Sequence, residues 1–137
     1  MRGWGGAVTM FGHLQHSALR IELRATSHQI RQALTEPAAL RQWWFTGWPP
    51  EEQAPLTVGR SLALWWGVLP IQAQVRCLRP GLLQWQFSRG ADGFQTWSWG
   101  EGWVQAQLEV VSLLPLGVGQ TWQLWQLRRY LQKQTGN

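Results

Sequence analysis

Tryptophan is the residue type in this sequence best suited to binding chemistry. The chain contains 12 Trp but only four Phe and one Tyr. Each indole ring combines a large apolar surface with a single N–H donor. Aromatic walls with few polar groups are typical of small-molecule sites. The most suggestive positions are the adjacent pair Trp43-Trp44 and the spaced pair Trp97 and Trp99, although filling of the core is the alternative for each.

The ionisable residues form no recognisable catalytic or metal-binding pattern. Glu22 and Glu109 fall on predicted strand faces shared with Arg or Gln. Either could act as a general base if it pointed into a cavity, but a charge on the outer face is the favoured interpretation. His13 and His16 lie in a Gly-rich segment without a neighbouring Cys or carboxylate, and no phosphate-loop, dinucleotide or zinc motif is present. We therefore predict no catalytic residue, no metal and no cofactor.

Charge and cysteine content narrow the partners and the compartment. The net charge is +5, and the basic residues are scattered, which argues against a nucleic-acid partner. No apolar run reaches the ~18 residues of a membrane span, so stable membrane insertion is not expected. The single cysteine, Cys77, excludes an internal disulfide and fits a cytoplasmic protein. It continues the alternation of Ile71, Ala73 and Val75, which predicts a small buried core residue.

The elements that would position the tryptophans begin with a strand and two short helices. Alternation over residues 17–26 predicts a half-buried strand. Thr26 or Ser27 can cap the helix that follows. Pro37 breaks this helix and can stand in the first turn of a second one, capped by Thr35 and ending in Trp43-Trp44.

The remainder alternates almost to the end and predicts five more antiparallel strands with short connections, over residues 57–66, 69–78, 83–88, 94–99 and 103–113. In the first of these, alternation places Trp65 and Trp66 on opposite faces. Residues 119–133 predict a helix, with Leu124 and Leu127 on one stripe and Trp122 and Trp125 on another face. The length favours one domain, with residues 1–15 as a flexible leader and residues 16–137 as the folded unit.

This order of elements resembles the START-related SRPBCC superfamily, also called the helix-grip fold. From Ile21 to Trp44 a strand leads into Ser-x-x-Ile-x-x-Ala-Leu-Thr-Glu-Pro-x-x-Leu-x-x-Trp-Trp, which is similar to the entry segment of that family. Leu56-Thr57-Val58-Gly59 is similar to the start of its second strand, and Val75 to Trp85, with Pro80-Gly81, is similar to a hairpin of the family. The polyketide cyclase/dehydrase-like and chaperone-activator-like branches are the nearest in kind.

The resemblance implies an α+β fold, in which a curved antiparallel sheet of about six strands wraps a long C-terminal helix and two short helices follow the first strand. It also implies an apolar cavity between the sheet and the helix. We predict a binding module for a hydrophobic small molecule (lipid, isoprenoid, pigment or polyketide-like), acting as a monomer or homodimer. The predicted ligand-binding residues are Trp43, Trp44, Trp65, Trp85, Trp97, Trp99, Leu124 and Leu127.

Two alternatives remain open at this level. One is a cyclase- or dehydratase-type enzyme that uses a carboxylate or Arg in the cavity. The other is a protein- or membrane-interaction module, in which Trp122 and Trp125 beside Arg129 form an exposed strip.

Overall fold

The described part of the chain forms seven strands and three helices. The computed structural model describes residues 8–9, 12–44, 54–66, 69–89, 91–112 and 116–134. The strands are β1 (Val8–Thr9), β2 (Gly12–Glu22), β3 (Ser61–Trp66), β4 (Leu69–Arg79), β5 (Leu82–Ser88), β6 (Ala91–Gly100) and β7 (Trp103–Ser112). The helices are α1 (Ser27–Thr35), α2 (Pro37–Trp43) and α3 (Leu116–Gln134).

The strands form one antiparallel sheet in the order β1-β2-β7-β6-β5-β4-β3. Strands β3 to β7 are sequential neighbours, and β7 returns to pair with β2 from His13↔Ser112 to Glu22↔Trp103. Residues 12–15 were predicted as part of a flexible leader; they instead extend β2, because β7 is long enough to pair with the chain as far as His13. The predicted architecture, a curved sheet with two short helices after the first long strand and a long terminal helix, is confirmed.

Local chemistry fixes the start of α1. The Thr26 side chain accepts a hydrogen bond from the Gln29 backbone N–H at 3.1 Å, and the Gln29 side chain accepts one from the Thr26 N–H at 2.8 Å. This reciprocal capping box satisfies two of the N–H groups that a helix start leaves unpaired. A third N–H, that of Ser27, donates to the Glu101 carboxylate at 2.8 Å. The tip of the β6–β7 hairpin therefore holds the start of α1.

Proline separates α1 from α2. Glu36 adopts φ −94° and ψ 126°, the extended conformation that a following proline favours. Pro37 then opens α2 in its first turn, as predicted. Thr35 does not cap α2, however, because its hydroxyl donates to the Arg31 carbonyl at 2.8 Å, and Glu36 occupies the N-cap position.

A bulge in β4 changes the predicted side of Cys77. The register between β4 and β5 shifts between Val75, which pairs with Trp85, and Cys77, which pairs with Gln84. The extra residue reverses the alternation, so Cys77 is half-buried rather than a core residue. Leu78, one position further along, packs against the core instead.

Helix α3 covers the inner face of the sheet. It begins three residues earlier than predicted, and its leucine stripe, Leu124, Leu127 and Leu131, is buried. The leucines join a single hydrophobic cluster with residues of both short helices and of β3 to β7. Within the described parts of the chain, no helix is long and apolar enough to cross a membrane.

Candidate functional site

Tryptophans from three elements meet inside the fold. Trp43 and Trp44 come from α2, Trp85 from β5, and Trp97 and Trp99 from β6. All five are at most 8% exposed and belong to the same hydrophobic cluster. The strands present these side chains inward because each follows the period-two alternation of its strand. The end of α2 brings Trp43 and Trp44 into contact with tryptophans of β6 and β5.

Ring contacts connect four of these residues in a row. The ring centroids of Trp97 and Trp43 are 6.1 Å apart in an edge-to-face arrangement, at 78°. Those of Trp43 and Trp44 are 5.5 Å apart, and those of Trp44 and Trp85 are 6.5 Å apart, both tilted by about 60°. Edge-to-face and tilted contacts are favoured by the aromatic quadrupole. The four indoles therefore form a connected aromatic wall, which shares one hydrophobic cluster with Leu124 and Leu127 of α3.

The Trp43 side chain makes a buried hydrogen bond to the backbone of α1. Its Nε1–H donates to the Ala33 carbonyl at 2.7 Å, and this hydrogen bond is buried. In a continuous helix the Ala33 carbonyl would accept from residue 37, but Pro37 has no N–H. The indole therefore satisfies a carbonyl that the helix break exposes. This bond holds Trp43 in place, so the residue is a fixed part of the wall.

The Trp97 indole N–H is a buried donor without an acceptor in the described structure. Trp97 is 0% exposed, and its Nε1 has no hydrogen-bond acceptor among the residues that the structure describes. An N–H group buried without an acceptor costs about 1–3 kcal/mol. The Trp97 ring projects from β6 and contacts the Trp43 ring edge-to-face, so the interior holds a donor that a further group could satisfy.

A network of amide side chains lies beside this aromatic wall. The Gln95 amide nitrogen, on β6, donates to the side-chain oxygens of Gln120 at 3.2 Å and Gln123 at 3.1 Å, both on α3. The Gln120 amide donates in turn to the Ser17 hydroxyl on β2 at 2.9 Å. Gln95 and Gln120 are only 3% and 1% exposed. The network ties α3 to two strands and places neutral polar groups in the interior.

Charged groups lie elsewhere in the described structure. Glu22 and Glu109 are exposed on the outer face of the sheet, as the alternation predicted. Among the described residues, the buried polar side chains are Thr35, Gln95 and Gln120, which carry no charge. Burial raises the pKa of Tyr130 above its ordinary value, and this side chain packs against the edge of the core. The described interior therefore offers amides, a hydroxyl and indole N–H groups, which bind and orient but do not transfer protons near neutral pH.

Comparison of structures found solved proteins with the same architecture, whereas comparison of sequences found no match. No protein-family model and no curated protein sequence matches this chain. CalU16 from Micromonospora echinospora matches 93% of this chain and 83% of its own length, with a TM-score of 0.64 and 19% identity. DynU16, from the dynemicin biosynthetic locus, matches 85% of this chain with a TM-score of 0.62 and 20% identity. The chain spans only 47% of DynU16, about half its length.

A third similar structure is the Aha1 dimer from Colwellia psychrerythraea, with a TM-score of 0.61 and 18% identity over 85% of this chain and 96% of that one. These matches agree with the sheet order and the covering helix. The chain therefore has the helix-grip fold. All three likenesses lie at or below 20% identity, and they establish the fold alone.

Most of the predicted site residues come together in this helix-grip interior. Trp43, Trp44, Trp85, Trp97 and Trp99 share one buried cluster with two leucines of α3, Leu124 and Leu127. Trp65 belongs to β3 and pairs with Pro70 through its backbone, but its side chain lies outside the described part of the structure.

The buried amides were missed by the sequence analysis. Gln95 is two residues before Trp97 on the same strand, and Gln120 is four residues before Leu124 on the same helix. Both residues therefore lie on the inward face of their strand or helix, since residues on one face are spaced by two in a strand and by three or four in a helix. This spacing was the available signal. It does not by itself predict burial, because Gln is mostly a surface residue.

Proposed function

We propose that this helix-grip protein binds a hydrophobic small molecule that carries one hydrogen-bond acceptor, in the interior between the sheet and α3. The observation that carries the proposal is the Trp97 N–H, which is buried and has no acceptor among the described residues. Surrounding indoles and leucines supply the apolar contacts, and the acceptor of the ligand would satisfy this donor. The ligand-binding residues are those predicted from the sequence: Trp43, Trp44, Trp65, Trp85, Trp97, Trp99, Leu124 and Leu127.

Apolar burial would provide most of the affinity, at roughly 25 cal/mol per Å² before the entropic cost of association. A hydrogen bond to Trp97 would add about 0.5–1.5 kcal/mol, and more if the donor is otherwise unpaired. Gln95, two residues along the same inward face, lies about 7 Å away and offers a second polar contact. The site would thus favour a mainly hydrocarbon molecule with a carbonyl or hydroxyl group.

Catalysis receives less support than binding. A cyclase or dehydratase needs a general acid or base beside the substrate, whereas the buried polar side chains of the described chain are amides and a threonine hydroxyl. DynU16 comes from a biosynthetic locus, that of dynemicin. This origin supports a small organic molecule as the ligand without assigning a reaction.

A matched pair of probes tests the proposal. The ketone 2-acetylnaphthalene carries an acceptor, and 2-ethylnaphthalene has almost the same shape without one. Native mass spectrometry of the purified protein and isothermal titration calorimetry would measure both affinities. We expect binding of both probes, with the ketone bound roughly fivefold more tightly, which corresponds to one hydrogen bond of about 1 kcal/mol.

Two variants on the same strand provide the control. Trp97→Phe keeps an aromatic ring but removes the N–H, so the preference for the ketone should disappear. Trp99→Phe makes the same chemical change two residues away, and the preference should remain. If neither probe binds, the proposed function is contradicted. Binding with an unchanged preference in Trp97→Phe would contradict the role of Trp97.

A further inference from the structure

The solvent-facing side of α3 carries a strip of tryptophan and basic side chains. Trp122, Trp125, Arg129 and Lys133 follow one another at spacings of three and four residues, which places them along one side of the helix. We call these four residues the α3 strip. Trp122 is 46% exposed and Trp125 47%, more than any other tryptophan side chain in the described structure.

The two indoles are arranged as one surface. Their ring centroids are 5.0 Å apart at an interplanar angle of 30°, so the rings are stacked. The Arg129 guanidinium lies 4.8 Å from the Trp125 ring centroid, within the range of a cation–π contact. The two stacked rings therefore form a narrow apolar ridge that ends beside the positive charge of Arg129. Lys133 lies one turn further along the strip.

Charge on α3 has a single sign. The helix sequence from Leu116 to Gln134 contains Arg128, Arg129 and Lys133 but no Asp or Glu. Its opposite side is buried through Leu124, Leu127 and Leu131. The helix is therefore held against the sheet and presents its cationic, tryptophan-bearing side outward in a fixed orientation.

We propose that the α3 strip docks the protein on the surface of a membrane that contains anionic phospholipid. Trp side chains favour the boundary between headgroups and acyl chains, where the ring is apolar and the N–H is solvated. Arg and Lys beside them reach the lipid phosphates, and a basic helix side lying in the plane of the interface is the usual form of such binding. The protein would bind peripherally, and no described helix is suited to crossing the bilayer.

The shape of the strip favours lipid over a protein groove. The ridge is one helix wide, and the leucine stripe on the other side of the helix holds its orientation because it is packed in the core. A deformable lipid interface accommodates such a ridge directly, whereas a protein partner would need a matching groove lined with acidic groups. An acidic protein partner is therefore the rival that the experiment must separate.

Co-sedimentation with vesicles tests the docking. Vesicles of pure phosphatidylcholine are compared with vesicles that also contain phosphatidylglycerol, at low and at high salt. We expect binding to the anionic vesicles only, and weaker binding at high salt because surface charges are screened. Arg129→Gln should lower the partition coefficient about fivefold, the effect of one basic residue near an anionic surface. Trp125→Ser should lower it on the order of tenfold through lost apolar contact.

The chain offers matched controls on the outer face of the sheet. Arg20 lies 4.3 Å from the Trp103 ring, so Arg20→Gln removes the same charge from a second cation–π pair. Phe94 is 40% exposed, so Phe94→Ser removes a comparable aromatic group. Both variants should bind vesicles like the unaltered protein. Circular dichroism must show unchanged folding in each variant that is compared.

Two results would overturn the proposal. One is failure of the unaltered protein to sediment with anionic vesicles at low salt, which would leave an acidic protein partner as the better explanation. The other is equal loss of binding in the α3 variants and in their sheet controls, which would indicate attraction by net charge alone. Neither result bears on the binding of small molecules in the interior, which is measured without lipid.

Discussion

Trp43→Phe isolates the contribution of one buried hydrogen bond. The substitution keeps a six-membered aromatic ring but removes the Nε1–H that donates to the Ala33 carbonyl at 2.7 Å. No backbone N–H can replace it, because residue 37 is proline. The carbonyl of Ala33 would be left buried without that donor.

The expected loss of stability in Trp43→Phe is obtained by comparison with Trp97→Phe. Both substitutions remove the same atoms from fully or almost fully buried positions, so the costs of lost volume largely cancel. Leaving the Ala33 carbonyl unsatisfied costs about 1–3 kcal/mol. Trp97→Phe instead removes an N–H that lacks an acceptor in the described structure. Because Trp97→Phe also removes the cost of an unpaired donor, we expect Trp43→Phe to lower the free energy of unfolding by at least about 1–3 kcal/mol more than Trp97→Phe.

Urea unfolding followed by far-ultraviolet circular dichroism provides the measurement. Tryptophan fluorescence is unsuitable because each variant changes the tryptophan content. A loss of this size is a substantial part of the 5–15 kcal/mol typical of a domain, so it is measurable without abolishing the fold. Equal free energies of unfolding for the two variants would refute the assignment of Trp43 as the partner that compensates for the helix break.

Three further predictions concern the interior network, alkaline stability and one backbone position. Gln120→Leu should destabilise the protein by about 1–3 kcal/mol, and the double variant with Gln95→Leu by less than the sum of the two single changes, measured by urea unfolding in a double-mutant cycle. Burial raises the pKa of Tyr130, the only tyrosine, above 10.0. The folded state holds this proton more tightly, so the associated stability is complete below about pH 10 and falls as pH rises through the folded pKa. Urea unfolding across that range should show the decrease of the unfolding free energy with pH, and Tyr130→Phe should remove this decrease. Phenolate absorbance should report the titration of Tyr130. Gly93→Ala should strongly lower the thermal midpoint, since φ is +146° and a Cβ would collide with the backbone of β7, whereas Gly59→Ala, at φ +91° in open space, meets backbone strain alone and should lower it less.

The α1–α2 segment was predictable because its determinants are local. Thr26 caps a helix whose third residue, Gln29, completes the box, and Pro37 forces Glu36 into an extended conformation. Each of these effects acts over four residues or fewer. The capping role assigned to Thr35 was wrong for an equally local reason, since a threonine near a helix end can instead bond back to the carbonyl four residues earlier.

The buried amides depend on contacts between distant parts of the chain. Gln95 meets Gln120 and Gln123 only after β6 and α3 have packed together, and Gln120 meets Ser17 only after α3 has packed against β2. A glutamine that faces inward on a strand can be buried only if the fold supplies hydrogen-bond partners for its side chain. The sequence could therefore mark Gln95 as facing inward, but its hydrogen-bond partners required the fold.

The bulge in β4 follows from two registers that cannot both be regular. The tight turn at Pro80-Gly81 pairs Leu78 with Leu83, whereas the other end of the hairpin pairs Val75 with Trp85. On β5 the two partners are two residues apart and share the inner face, but on β4 Leu78 and Val75 are three apart and would face opposite ways. One extra residue in β4 lets both apolar side chains face inward, so Leu78 packs against the core and Cys77 is left half-buried opposite Gln84. The sequence already contains this mismatch in spacing between β4 and β5. It predicts a bulge only when the turn and the pairing of Trp85 are considered together.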